Sequence, residues 1–78
     1  MNNDAGMRIK VARIMRGWTQ HDLAQECAGR SEETVTTWQQ VLVHIENGRV
    51  IPAGEYARIL EEVLGETVPN LGTEKEER

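Results

Sequence analysis

Apolar residues recur at helical spacing in four separate stretches of the chain. Met7, Val11, Ile14 (or Met15) and Trp18 line one face of a first helix, interleaved with Arg8, Lys10, Arg13 and Arg16. Gly17 then supplies a stop, because a left-handed residue costs little there. Thr19-Gln20-His21-Asp22 reads as a second helix start: Thr19 can accept from the amide three residues on, and Asp22 can reach back to the Thr19 amide. Leu23, Ala24 and Cys27 form its apolar face, and Ala28-Gly29 ends it after about two and a half turns.

Ser31 is the next cap candidate, and Glu32 and Glu33 favour the positive end of a helix dipole. Val35, Trp38, Leu42 and Ile45 make one continuous stripe, so the pattern predicts a single helix over Glu32–Glu46, roughly 22 Å long. The β-branched residues Thr34, Val35, Thr36, Thr37, Val41 and Val43 favour a competing strand over Val41–Ile45. Asn47-Gly48 is a stop. Arg49–Pro52 should be extended, since proline disfavours helix before it, and Pro52 can open the last helix. Tyr56, Ile59, Leu60, Val63 and Leu64 are the stripe of that helix, and Gly65 closes it. Residues 1–6 read as a flexible polar leader, residues 7–65 as the domain, and residues 66–78 as an acidic, disordered tail. The expected fold is all-α and compact, with four helices, or five, and an elongated third helix. Its one close joint, Ala28-Gly29-Arg30, has the helix-turn-helix layout.

Length narrows the classes. A chain of 78 residues holds one domain and excludes a multi-domain enzyme or a doubly wound sheet. With 38% hydrophobic and 28% charged residues it reads as globular. The single cysteine, Cys27, excludes an internal disulfide framework and a multi-cysteine zinc site. The longest apolar run is Val41–Val43, so no membrane span or secretory leader is expected, and the cytoplasm is the expected setting. The net charge of −4 argues against nucleic acid, which wants a basic face. Its distribution changes that picture: residues 1–49 carry six positive and six negative charges, and the excess acid sits in residues 50–78.

Several short motifs in order carry a resemblance. Arg8-Ile9-Lys10, Arg13, Gly17-Trp18-Thr19-Gln20 and Asp22-Leu23-Ala24, then Ala28-Gly29 with Ser31, Ile45-Glu46-Asn47-Gly48-Arg49, Pro52, Ile59 and Leu64-Gly65 resemble the lambda-repressor-like (Cro/repressor, XRE-type) helix-turn-helix family. The likeness covers roughly residues 8–65, with one departure. The stretch between Gly29 and Glu46 is roughly eight residues longer than the family's pattern. One alignment makes Ser31–Trp38 the recognition helix and Gln39–His44 an extension; the other lengthens the turn and makes Thr37–Leu42 the recognition helix. The unbroken stripe favours the first.

The resemblance implies a sequence-specific DNA-binding regulator, a repressor, that reads the major groove of double-stranded DNA with the helix after Gly29. Its implied DNA contacts are Gln20, Arg30, Ser31, Glu33, Thr34, Thr37, Gln40, Asn47 and Arg49. Arg30 suits guanine, Thr34 a thymine methyl, Glu33 cytosine N4 and Gln40 adenine. Arg13 and Glu46 match family positions that form a partly buried ion pair, which makes them structural. The family binds as a homodimer; the contact here would come from the fourth helix and tail or the extended third helix, with Trp38 and Val43 suited to it if exposed. The alternative is an acidic protein-interaction module on the same scaffold, anti-repressor or antitoxin-like, which the Glu32-Glu33 pair supports. His21, His44 and Cys27 lack metal-site spacing, and nothing pairs a nucleophile with an oriented base. Neither catalysis, a metal nor a cofactor is expected.

Overall fold

Four helices follow one another in the computed structural model, which describes residues 4–65: α1 (Asp4–Met15), α2 (Gln20–Ala28), α3 (Val35–Glu46) and α4 (Gly54–Leu64). Among the described residues there is no strand, and Val41–Ile45 is helical. The leader expected over residues 1–3 and the tail expected over residues 66–78 lie outside the described residues.

The first helix departs from its predicted pattern in two ways. It starts at Asp4, so residues 4–6 of the expected leader are helix, with Ala5 and Gly6 buried. It also buries the other face. Ala5, Ile9 and Ala12 lie in the core, while Met7, Val11, Ile14 and Met15 are 45–80% exposed. Both sets fit a helical repeat, offset by two positions, or about 200° around the helix. Side-chain size decides between them. α1 packs on α3 so closely that a Cβ at Gly6 would overlap the carbonyl oxygen of Ile45. Only the small-residue face tolerates that approach.

The second helix forms as its sequence dictates. Thr19 Oγ1 accepts from the Asp22 amide (3.0 Å), and the Thr19 amide donates to the Asp22 carboxylate (2.9 Å). That amide bond holds the Asp22 carboxyl below its ordinary value of 3.8. Leu23, Ala24 and Cys27 are buried, and burial pushes the Cys27 thiol up to about 12. It remains a thiol and behaves as a small core residue.

The third helix is three residues shorter than predicted. Thr34, not Ser31, is its N-cap, with Thr34 Oγ1 accepting from the Thr37 amide at 3.1 Å. Glu32 and Glu33 therefore precede the helix instead of filling its first turn. Ser31 instead serves the core, where its Oγ accepts from the Trp38 indole N–H at 2.8 Å. That donor belongs to a fully buried side chain and needs a partner. At 12 residues α3 equals α1 in length and is not elongated.

α2 and α3 form the principal packing pair, with α1 and α4 completing one core. Trp38 sits within it beside Ile9, Leu23, Leu42, Ile45, Ile59, Leu60 and Leu64, and meets Tyr56 edge-on at 4.9 Å. Its burial removes Trp38 as a contact between copies. α4 buries Ile59, Leu60 and Leu64 from the predicted stripe and ends on Gly65 in the left-handed conformation (φ 73°).

Two outcomes follow from this packing. Gly6→Ala should destabilise the fold by about 1–3 kcal/mol in chemical denaturation, reversing the usual gain from removing a helical glycine. For Asp22, the folded form binds its proton less readily than the unfolded chain. Its contribution is complete above pH 3.8 and disappears as pH falls through the lower folded value. Acid titration of the wild type followed by helical circular dichroism should show this loss, and Asp22→Asn should flatten it.

Candidate functional site

The outer face of α3 is fixed by its inner one. Trp38, Leu42 and Ile45 are buried, so Thr36, Gln40 and Val43 fall on the opposite side and are exposed, and His44 is exposed beside them. Asn47, the C-cap, continues the same line and is also exposed. Thr37 and Gln39 flank it, half-buried. This face carries hydroxyls, amides, an imidazole and one valine. Glu46, the single acid in α3, is turned inward with its side chain 3% exposed.

The expected contact residues fall into two groups at opposite ends of α3. Arg30, Ser31, Glu33, Thr34 and Thr37 gather at its N-terminal end. Arg30 and Glu33 are exposed. Ser31 holds Trp38 and accepts from the Glu33 amide (3.1 Å), and the Thr34 hydroxyl donates to Thr37 Oγ1 (3.1 Å). Asn47 and Arg49 lie at the other end, about 20 Å away along the helix axis. There Gly48 turns left-handed (φ 80°), so the Arg49 amide reaches back to the His44 carbonyl (2.9 Å). Gln40 stands between the groups. Residues 29–34 make a longer connection than the joint expected at Ala28-Gly29-Arg30, and Thr37–Leu42 lies wholly within α3.

Gln20 points elsewhere. Its Nε2 donates to Glu46 Oε1 at 2.9 Å, in a network centred on that carboxylate. Arg13 Nε and Nη2 donate to the two Glu46 oxygens at 2.8 and 2.9 Å, and Arg13 Nη1 donates to the Trp18 carbonyl at 2.8 Å. The bidentate bond to Glu46 raises the Arg13 pKa. The ion pair expected of Arg13 and Glu46 is thus present, with Gln20 as its third member. Sequence reasoning missed that role for Gln20, and it missed Thr36 and His44 on the outer face. The signal for Thr36 was available: it lies opposite the Trp38, Leu42 and Ile45 stripe.

Among the described residues no group of three or more His, Cys, Asp and Glu side chains is placed to hold a metal ion, and no helix is long and apolar enough to cross a membrane. No protein-family model, curated protein or solved structure matches this chain.

The Glu46 network should dominate stability. Glu46→Ala leaves the Arg13 guanidinium, in a side chain 11% exposed, without its counter-charge. A loss of about 3–5 kcal/mol in denaturant titration is expected. Gln20→Ala, which removes one bond and leaves the ion pair, should cost only about 1–2 kcal/mol.

Proposed function

We propose that the chain is a sequence-specific DNA-binding regulator, a helix-turn-helix domain that sets α3 in the major groove. One observation carries this reading. The exposed line Thr36, Gln40, Val43 and Asn47 carries no acid and offers the side-chain types that read base edges. Gln40 is suited to adenine by a bidentate amide pair, and Val43 to a thymine methyl. Arg30 and Arg49 bracket the line, both exposed, and a guanidinium at Arg49 is suited to phosphate. Glu32 and Glu33 precede the helix, so its first turn carries no acid. The motif resemblance points the same way. Such a domain works as a homodimer on half-sites about 34–36 Å apart. A repressor acting in the cytoplasm is the matching role.

A second reading keeps the scaffold and replaces DNA with a protein regulator. The net charge of −4 and the exposed Glu32-Glu33 pair favour it.

Fluorescence anisotropy separates the two, using the duplex upstream of the protein's own reading frame and a scrambled control at two salt concentrations. The DNA reading expects preference for the native duplex and binding that weakens with salt. Gln40→Ala should lower specific affinity by about 5- to 150-fold, the equivalent of one base-edge pair. Arg49→Ala should weaken both duplexes alike and reduce the salt slope by about 1. Absence of binding to either duplex at low salt would overturn the DNA reading in favour of the protein partner.

A further inference from the structure

The outward face of α1 has no role in the α3 reading. Met7, Val11, Ile14 and Met15 are 60%, 45%, 55% and 80% exposed on one short helix. Monomeric proteins seldom leave that many long apolar side chains together in water. The face is indented as well: Met7, Arg8, Val11, Ala12 and Met15 line a shallow cleft of about 260 Å³. Arg8 and Lys10 stand exposed beside it, and the single acid of α1 is its first residue, Asp4. On a chain of net charge −4 this is a basic, methionine-bearing island.

We propose that this face docks an acidic amphipathic helix of another protein, whose apolar stripe covers Met7, Val11, Ile14 and Met15 while its carboxylates meet Arg8 and Lys10. Helix-on-helix docking of this kind uses anchors at i, i+4 and i+7, the spacing of Met7, Val11 and Ile14. Methionine suits it, because its flexible thioether adapts to the partner's shape.

Charge and magnitude exclude other occupants. Two copies meeting through α1 would bring Arg8 and Lys10 from both sides into one interface, and like charges there oppose association. Among the described residues, the acids of α4, Glu55, Glu61 and Glu62, lie on a helix whose Ile59, Leu60 and Leu64 are buried, and the exposed Val50 and Ile51 lie outside any helix and form no helical stripe. Residues 66–78 are acidic, but offer only Val68 and Leu71 as large apolar side chains. Two apolar side chains do not cover a face of four, whereas a partner helix with a full apolar stripe does. A membrane surface would want aromatic or leucine anchors, which α1 lacks.

The test uses the full chain and methyl NMR of Met7 and Met15. The probe is a synthetic helix of about 14 residues with a leucine stripe and glutamate flanks, compared with the same helix bearing lysine flanks. The glutamate helix should shift both methyl signals and bind roughly tenfold tighter than the lysine helix, weakening as salt rises. Met15→Glu should lower that affinity at least roughly tenfold with an unchanged melting temperature, since Met15 is 80% exposed. Equal binding of both helices, or of neither, would overturn the proposal. So would a sedimenting dimer that Met15→Glu dissolves, a shift of the Met15 signal in Val68→Ser/Leu71→Ser, or binding to phosphatidylserine vesicles without binding to the glutamate helix. None of these readouts involves DNA, so the outcome is independent of the α3 reading.

Discussion

The Arg13–Glu46 pair is the constraint on which the arrangement depends. Its side chains are 11% and 3% exposed, so both charges have left water. Such a pair offsets its desolvation only when the remaining lone pairs and protons also find partners. Here four hydrogen bonds engage both groups, and they come from the last turn of α1, the α1–α2 turn at Trp18, the first residue of α2 and the last residue of α3. Moving α1 away from α3 would leave a buried charge unpaired, and moving the Trp18 turn or α2 away would strip the pair of a hydrogen bond. In a domain this small, where the apolar core is limited, one polar node of this kind orients three of the four helices.

The same node sets the phase of α3. With Glu46 turned inward, Ile45, Leu42 and Trp38 follow on the core side, and Thr36, Gln40 and Val43 must face water. The other end is pinned independently. Ser31 holds the indole N–H of Trp38, and Thr34 caps the first turn. A helix fixed at both ends presents its outer side chains from a rigid frame, which lowers the ordering cost of any contact they make.

Much of this is legible in the residues, and the exceptions share a cause. The α2 capping box, the α3 core stripe and the α4 stripe follow from local chemistry or helical spacing, and the Arg13–Glu46 pair from the motif resemblance. In α1 the spacing admits two, since Ala5-Ile9-Ala12 and Met7-Val11-Ile14 both repeat helically. Hydrophobicity favours the bulkier set, but the close approach of α1 to the α3 backbone at Gly6 selects the smaller, and that distance is tertiary. The start of α3 misleads for a similar reason. By type Ser31 is the better cap, but its hydroxyl is taken by a buried indole seven residues downstream, and Thr34 caps the helix instead. The resemblance makes Gln20 a DNA contact, and its neighbours do not betray its bond to Glu46, because that partner lies 26 residues away.

Net charge describes no single surface of this chain, and the geometry explains why. Exposed charges are screened beyond about 8–10 Å at physiological salt, whereas the two ends of α3 stand about 20 Å apart. Each surface therefore responds to its own neighbours. Part of the acid on α4 is already balanced locally: Arg58 lies 3.6 Å from both Glu55 and Glu62. Glu32 and Glu33 act at the N-terminal end of α3, where Arg30 opposes them. Arg49 stands at the other end, beyond their screened reach, and Arg8 and Lys10 face outward from α1. A chain with an overall charge of −4 can thus carry an acid-free helix face and a basic apolar helix face, because attraction to phosphate or to a carboxylate is decided within one screening length.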